Sequence, residues 1–155
     1  RLLGTFNYLA DPAIPDRLEL ALRHDCVVGS GHDLLALTGL DDLDAALTLL
    51  RRAMVGSNLR AAAVTAGAAG STIVTAEDRW DIPPFPVEAV DPTGAGDAYL
   101  AGIAWGMVLR WEWPRAGRFA SALGALATRA LGAQTAYATL EEAEAFLRSR
   151  DESGI

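Results

Sequence analysis

The sequence predicts an α/β layered fold, and three observations predict it. Short apolar runs such as "CVVG" (26–29) and "STIVTA" (71–76) read as buried strands. Longer runs such as "DDLDAALTLLRRAM" (41–54) carry apolar residues at helical spacing. The two kinds are interleaved along the chain, which is the pattern of helices layered on a sheet.

The elements follow in order. "PDRLELALRH" (15–24) reads as a helix with Pro15 near its start. "CVVG" follows as a strand, with Cys26 as a buried structural thiol. "SGHDLLALTG" (30–39) is a short helix with Ser30 as N-cap, Asp33 three residues on and Gly39 as its stop. The 41–54 helix has an acidic start. "RAAAVTAG" and "STIVTA" are short strands around the glycine-rich turn "AGAAG", and the prolines of "RWDIPPFPVEAV" suit an edge strand or loop. From Asp97 the helical period returns in "DAYLAGIAWGMVLRW", "RAGRFASALGALATRAL" and "TLEEAEAFLRSR", the last opened by a Thr139–Glu142 capping box. "RWEWPR" ends one helix and makes the following turn.

Composition narrows the function. The chain has 155 residues, 51% hydrophobic and 21% charged, which is ordinary for a globular domain. Thirteen Lys+Arg against 20 Asp+Glu give a net charge of -7, which argues against a nucleic-acid or anionic-membrane surface. Cys26 is the single cysteine, so no internal disulfide forms. No run reaches the roughly 18 apolar residues of a membrane span, and no signal peptide is visible, so the expected compartment is the cytoplasm. The chain starts at Arg1 in what reads as the middle of a strand, so a fragment is the expectation. His24, Cys26 and His32 fit no standard zinc spacing. Trp80, Trp105, Trp111 and Trp113 are expected in the core or at an interface.

The chemistry concentrates in "DPTGAGDAYLAG" (91–102). A helix starting near Gly96 leaves its first N–H groups without partners and carries partial positive charge there. Small residues let an anion such as a phosphate oxygen approach that backbone. Asp97, in the first turn, adds a carboxylate beside the same position. Donors for a transferring anionic group and a base for a hydroxyl nucleophile thus lie together. The plainer reading of a first-turn acid is that it suits the helix dipole, and local physics alone leaves both open. No G-x-x-x-x-G-K-[ST] occurs, so this is not a P-loop.

"DPTGAGDAYLAGIAWG" resembles the C-terminal D-T-x-G-A-G-D signature of the PfkB/ribokinase family of carbohydrate and nucleoside kinases. "VTAGAAG" (64–70) is similar to the family's T-x-G-x-x-G segment. "RFASALGALATRALGAQ" (118–134) resembles the helix and loop that close over adenine, and "LTG" (37–39) the end of the helix after N-x-x-E. The resemblance covers about residues 25–148. It implies a ribokinase-like three-layer αβα sandwich, with residues 1–155 as one partial domain: the C-terminal nucleotide-binding half, its N-terminal half and β lid missing. It implies ATP-dependent phosphoryl transfer to a sugar or nucleoside hydroxyl. Asp97 matches the base, and the N–H groups of Gly94, Ala95, Gly96 and Asp97 match the anion hole. Thr65, Gly67, Gly70 and Ser121 match the nucleotide side. Asp91, Thr93 and Gly132 match the surroundings of a monovalent-cation site such as one for K⁺. Asp33 matches the acid that organises Mg²⁺ through water.

Departures accompany the match. Ser30 and Asp33 stand for the Asn and Glu of N-x-x-E, and capping-box duty explains that pair equally well. Pro92 replaces a Thr, Ser121 a frequent Asn and Ala136 a frequent Ser. These changes put cation dependence in doubt. Two other readings therefore stay open: a non-catalytic nucleotide-binding or regulatory module, and a small chain that completes itself by pairing. A shortened sheet exposes an apolar edge and face, which favours homo-oligomers.

Overall fold

The structure is a computed structural model that describes residues 2–132 and 134–152. The described residues of 1–67 and 71–81 form one compact unit, and those of 68–70 and 82–155 a second.

The first unit is built on a sheet. Its strands are β1 (Leu3–Thr5), β2 (Cys26–Ser30), β3 (Ala61–Thr65), β4 (Ser71–Val74) and β5 (Arg79–Ile82), in the spatial order β1-β2-β3-β4-β5. β1, β2 and β3 run parallel, and β4 returns antiparallel to β3. The connections between parallel strands carry helices, as they must: α1 (Phe6–Leu9) and α2 (Arg17–Leu22) lead from β1 to β2. α3 (Gly31–Thr38) and α4 (Leu43–Met54) lead from β2 to β3.

α4 shows why the sequence folds this way. Ala46, Leu47, Leu50 and Met54 form one stripe and are all buried. That stripe joins Phe6, Val27, Leu34, Val64 and Val74 in a single apolar core. Asp42 caps the helix by accepting the Ala45 N–H at 2.7 Å. At the other end Arg51 donates to the carbonyls of Thr75 (3.1 Å) and Glu77 (2.7 Å), fastening α4 to the β4–β5 turn. Cys26 is fully buried in β2, and that burial pushes its thiol up to about 12, so it is an inert core group.

α3 begins and ends where its sequence signals stand. Ser30 Oγ accepts the Asp33 N–H (3.2 Å), Asp33 accepts the Ser30 N–H (3.0 Å), and Gly39 closes the helix at φ 70°. Ser30→Ala is expected to cost about 1 kcal/mol of stability, the usual value of a lost N-cap. Urea unfolding checks this; no measurable change would mean that the box is not formed in solution.

The second unit is helical: α5 (Ala95–Leu109), α6 (Trp113–Ala127) and α7 (Leu140–Glu152). α5 buries Ala98, Tyr99, Gly102, Ile103 and Gly106. Gly102 and Gly106 lie against Ala120 and Ala116 of α6, so the two helices pack through small residues. α7 opens with the expected box, Glu142 accepting the Thr139 N–H at 2.7 Å. Phe146 of α7 meets Phe85 edge-on at 5.3 Å.

The tryptophans are Trp80, Trp105, Trp111 and Trp113. None belongs to the buried core, and Trp105 is 42% exposed. The reason is angular: the buried stripe of α5 runs through Tyr99, Gly102, Ile103 and Gly106, and Trp105 lies off it. Trp111 does pack, edge-on to Phe119 at 5.4 Å, with Arg115 over its face. Among the described residues no helix is long and apolar enough to cross a membrane.

Candidate functional site

The turn before α5 leads into the helix at Gly94. Gly94 is the N-cap at φ 83°, a left-handed conformation that a side chain would strain. The Ala95 N–H turns back to the Pro92 carbonyl at 3.2 Å. This takes one donor out of the expected anion hole. A tight turn over Pro92–Ala95 is what aims the helix start, and it uses that N–H. The N–H groups of Gly94, Gly96 and Asp97 have no backbone acceptor among the described residues. A Cβ built on Gly96 meets nothing within 4 Å, so there is open space beside that residue. Asp97 is exposed in the first turn of α5, and no hydrogen-bond or ion-pair partner holds its carboxylate among the described residues.

Asp91 behaves differently. Its Oδ1 accepts the Thr93 N–H and its Oδ2 the Gly132 N–H, both at 2.9 Å. The Thr93 hydroxyl first, then these two N–H groups, hold the Asp91 carboxyl below the usual carboxylate range. The Asp91 and Val90 N–H groups in turn donate to the Thr128 carbonyl, at 3.0 and 2.7 Å. The structure brings Asp91, Thr93 and Gly132 together through these hydrogen bonds. Sequence reasoning missed Thr128, whose part is played by its backbone carbonyl and leaves no side-chain signal.

Two N–H donors, from Thr93 and Gly132, meet the two oxygens of the Asp91 carboxylate. Pro92 brings no hydroxyl and Ala136 none either.

The other expected residues are placed as follows. Ser121 is half-buried on α6. Gly70 sits at φ 95° with a Cβ position 2.3 Å from the Ile82 carbonyl, so no other residue fits there. In the first unit, Thr65 ends β3 opposite Ser30 of β2, and its hydroxyl donates to the Gly29 carbonyl at 3.3 Å. Gly67 follows at φ 57° with nothing within 4 Å of its Cβ position, in a turn whose residues 66–69 are exposed and carry no side chain beyond a methyl. Such a turn leaves backbone donors open to a phosphate. Asp33 is half-buried, and its Oδ2 takes both the N–H and the hydroxyl of Ser30, at 3.0 and 2.6 Å. Among the described residues no group of three or more His, Cys, Asp or Glu side chains gathers to hold a metal.

The sequence matches the pfkB family of carbohydrate kinases over residues 4–140. The match begins ahead of residue 25, where the motif resemblance starts. The aminoimidazole riboside kinase of Salmonella typhimurium is 32% identical over 134 residues, which are 83% of this chain and 40% of that protein. A structure of a candidate Ribokinase II from E. coli, in complex with ATP and Mg²⁺, superposes with a TM-score of 0.78 at 27% identity. It is covered over 46% of its length by 93% of this chain. A fructokinase from Vibrio cholerae O395, bound to fructose, ADP and calcium ion, gives a TM-score of 0.73 at 28% identity, over 84% of this chain and 43% of that one. The chain thus spans less than half the length of these relatives. Its sheet-and-helix architecture is the ribokinase-like α/β fold, and the chain belongs to the pfkB family of carbohydrate kinases.

Proposed function

We propose that this chain carries the nucleotide-binding and catalytic part of an ATP-dependent kinase that phosphorylates a hydroxyl of a sugar or nucleoside. The observation that carries the reading is Asp97: of the motif carboxylates Asp33, Asp91 and Asp97, it alone has no partner among the described residues. It stands at a helix start whose Gly96 N–H is also unengaged.

ATP with Mg²⁺ supplies the phosphoryl group when bound. The chain's own residues divide the remaining work. Asp97 takes the proton from the acceptor hydroxyl as that oxygen attacks. The N–H groups of Gly94, Gly96 and Asp97 meet the charge that grows on the transferring group. Phosphoryl transfer rests mainly on positioning and charge stabilisation, so few parts suffice. Thr65, Gly67, Gly70 and Ser121 form the nucleotide side, and Asp33 steadies Mg²⁺ through water. We place both units in one partial ribokinase-like domain over 1–155.

A second reading is a non-catalytic nucleotide-binding module. The observation that favours it is the closed Ser30–Asp33 capping box, which explains that pair with no metal role.

Both readings require nucleotide binding, so calorimetry tests them first. Titration of the chain with ADP plus Mg²⁺ is expected to show weak, saturable binding in the millimolar range or tighter. No heat and no thermal shift, on a demonstrably folded chain, would remove both.

A further inference from the structure

We infer that Asp91 is a positioning residue: its carboxylate bridges the N–H groups of Thr93 and Gly132, holds the Gly94–Asp97 turn against the end of α6, and makes a bound monovalent cation unnecessary. The purpose assigned to this bridge rests on the proposed function, but its existence does not.

The bridge spans 41 residues of sequence between Asp91 and Gly132. Each carboxylate oxygen serves a different segment, Oδ1 the turn and Oδ2 the loop after α6. Backbone bonds run beside it, from Val90 and Asp91 to the carbonyl of Thr128, the C-cap of α6. The Thr135 hydroxyl donates to the Leu131 carbonyl at 2.9 Å. Asp91 thus hydrogen-bonds to both segments.

Electrostatics set the choice between bridge and cation. A cation would draw oxygens inward, whereas here N–H groups point at the carboxylate from both sides. Those donors offset its charge and repel a cation placed between them. Pro92, between Asp91 and Thr93, locks its own φ and stiffens the span that leads to Gly94. The bridge thus fixes the path of the chain two residues before the helix start. A shift there misaims the Gly96 and Asp97 N–H groups, and small misplacements cost transition-state stabilisation steeply.

Amide hydrogen exchange by NMR on the whole 155-residue chain tests this. The Thr93 and Gly132 amides are expected to be protected in the parent. Asp91→Asn keeps one acceptor and turns an NH₂ toward the other donor, so exchange should rise by about tenfold or more at one of the two. Asp91→Ala should release both, with α7 amides unchanged, since a general loss of stability would raise exchange there too. Inorganic phosphate, followed through the Gly96 and Asp97 amide shifts, should bind Asp91→Ala about tenfold or more weakly than the parent. The parent's Thr93 and Gly132 shifts should respond alike to KCl and NaCl.

Unprotected Thr93 and Gly132 amides in the parent, or a saturable shift specific to K⁺, would overturn the inference even if neither variant folds. Equal exchange in parent and Asp91→Ala would overturn it as well. If phosphate fails to shift the parent while the exchange pattern holds, the bridge is supported and the proposed function is what fails.

Discussion

Replacing Asp97 with asparagine is expected to lower phosphoryl transfer by about 10²–10⁴-fold, the usual scale for a positioned acid–base group. The change keeps size and shape and removes only the base. Asp97 is exposed and has no partner among the described residues, so folding should shift by less than about 1 kcal/mol, the scale of a helix-dipole contact. Nucleotide binding should survive, because the backbone donors are untouched. The assay is coupled ADP release, run on the chain joined to the N-terminal half of one of its kinase relatives, with ADP titration beside it. Turnover within a few-fold of the parent would reduce Asp97 to a helix-start residue and leave only the N–H groups.

The largest expected effect on stability is at Gly102. A Cβ there stands 2.5 Å from the Ala120 Cα and 3.1 Å from its backbone nitrogen. Backbone cannot rotate aside as a side chain can, so α5 and α6 must separate along their shared face. Gly102→Val should therefore destabilise by about 3 kcal/mol or more, at the upper end for overpacked cores. Gly96→Ala is the contrast. The new methyl meets nothing within 4 Å, and the helix gains from losing a glycine, so stability should hold or rise by up to about 1 kcal/mol. Urea midpoints of the two variants against the parent decide it. A Gly102→Val loss below about 1 kcal/mol would show that the helices do not pack this closely.

Local signals were read well from the sequence because their causes are local. The Ser30–Asp33 and Thr139–Glu142 boxes each span three residues, and both close as their spacing requires. The α4 stripe was legible for the same reason. α1 was not, since a four-residue element carries too little pattern to declare a period. The site divides along the same line. A signature of consecutive residues marks Gly94, Gly96 and Asp97, but it does not reveal that Ala95 gives its N–H to Pro92. Nor does it reveal that Asp91 reaches Gly132 across 41 residues, a pairing fixed only by tertiary packing. Trp105 has no face fixed by the sequence because α5 is apolar on every side, and periodicity cannot choose a buried face when all faces look alike.

The central claim is transfer of a phosphoryl group to an organic hydroxyl by the Asp97 turn. The most direct measurement is ³¹P NMR of Mg·ATP with a panel of sugars and nucleosides, using the chain joined to a relative's N-terminal half. The account predicts a new phosphomonoester resonance that grows with ADP for at least one acceptor and is suppressed by Asp97→Asn. ADP appearing only with inorganic phosphate, or a phosphomonoester formed equally well by the Asn variant, would contradict it.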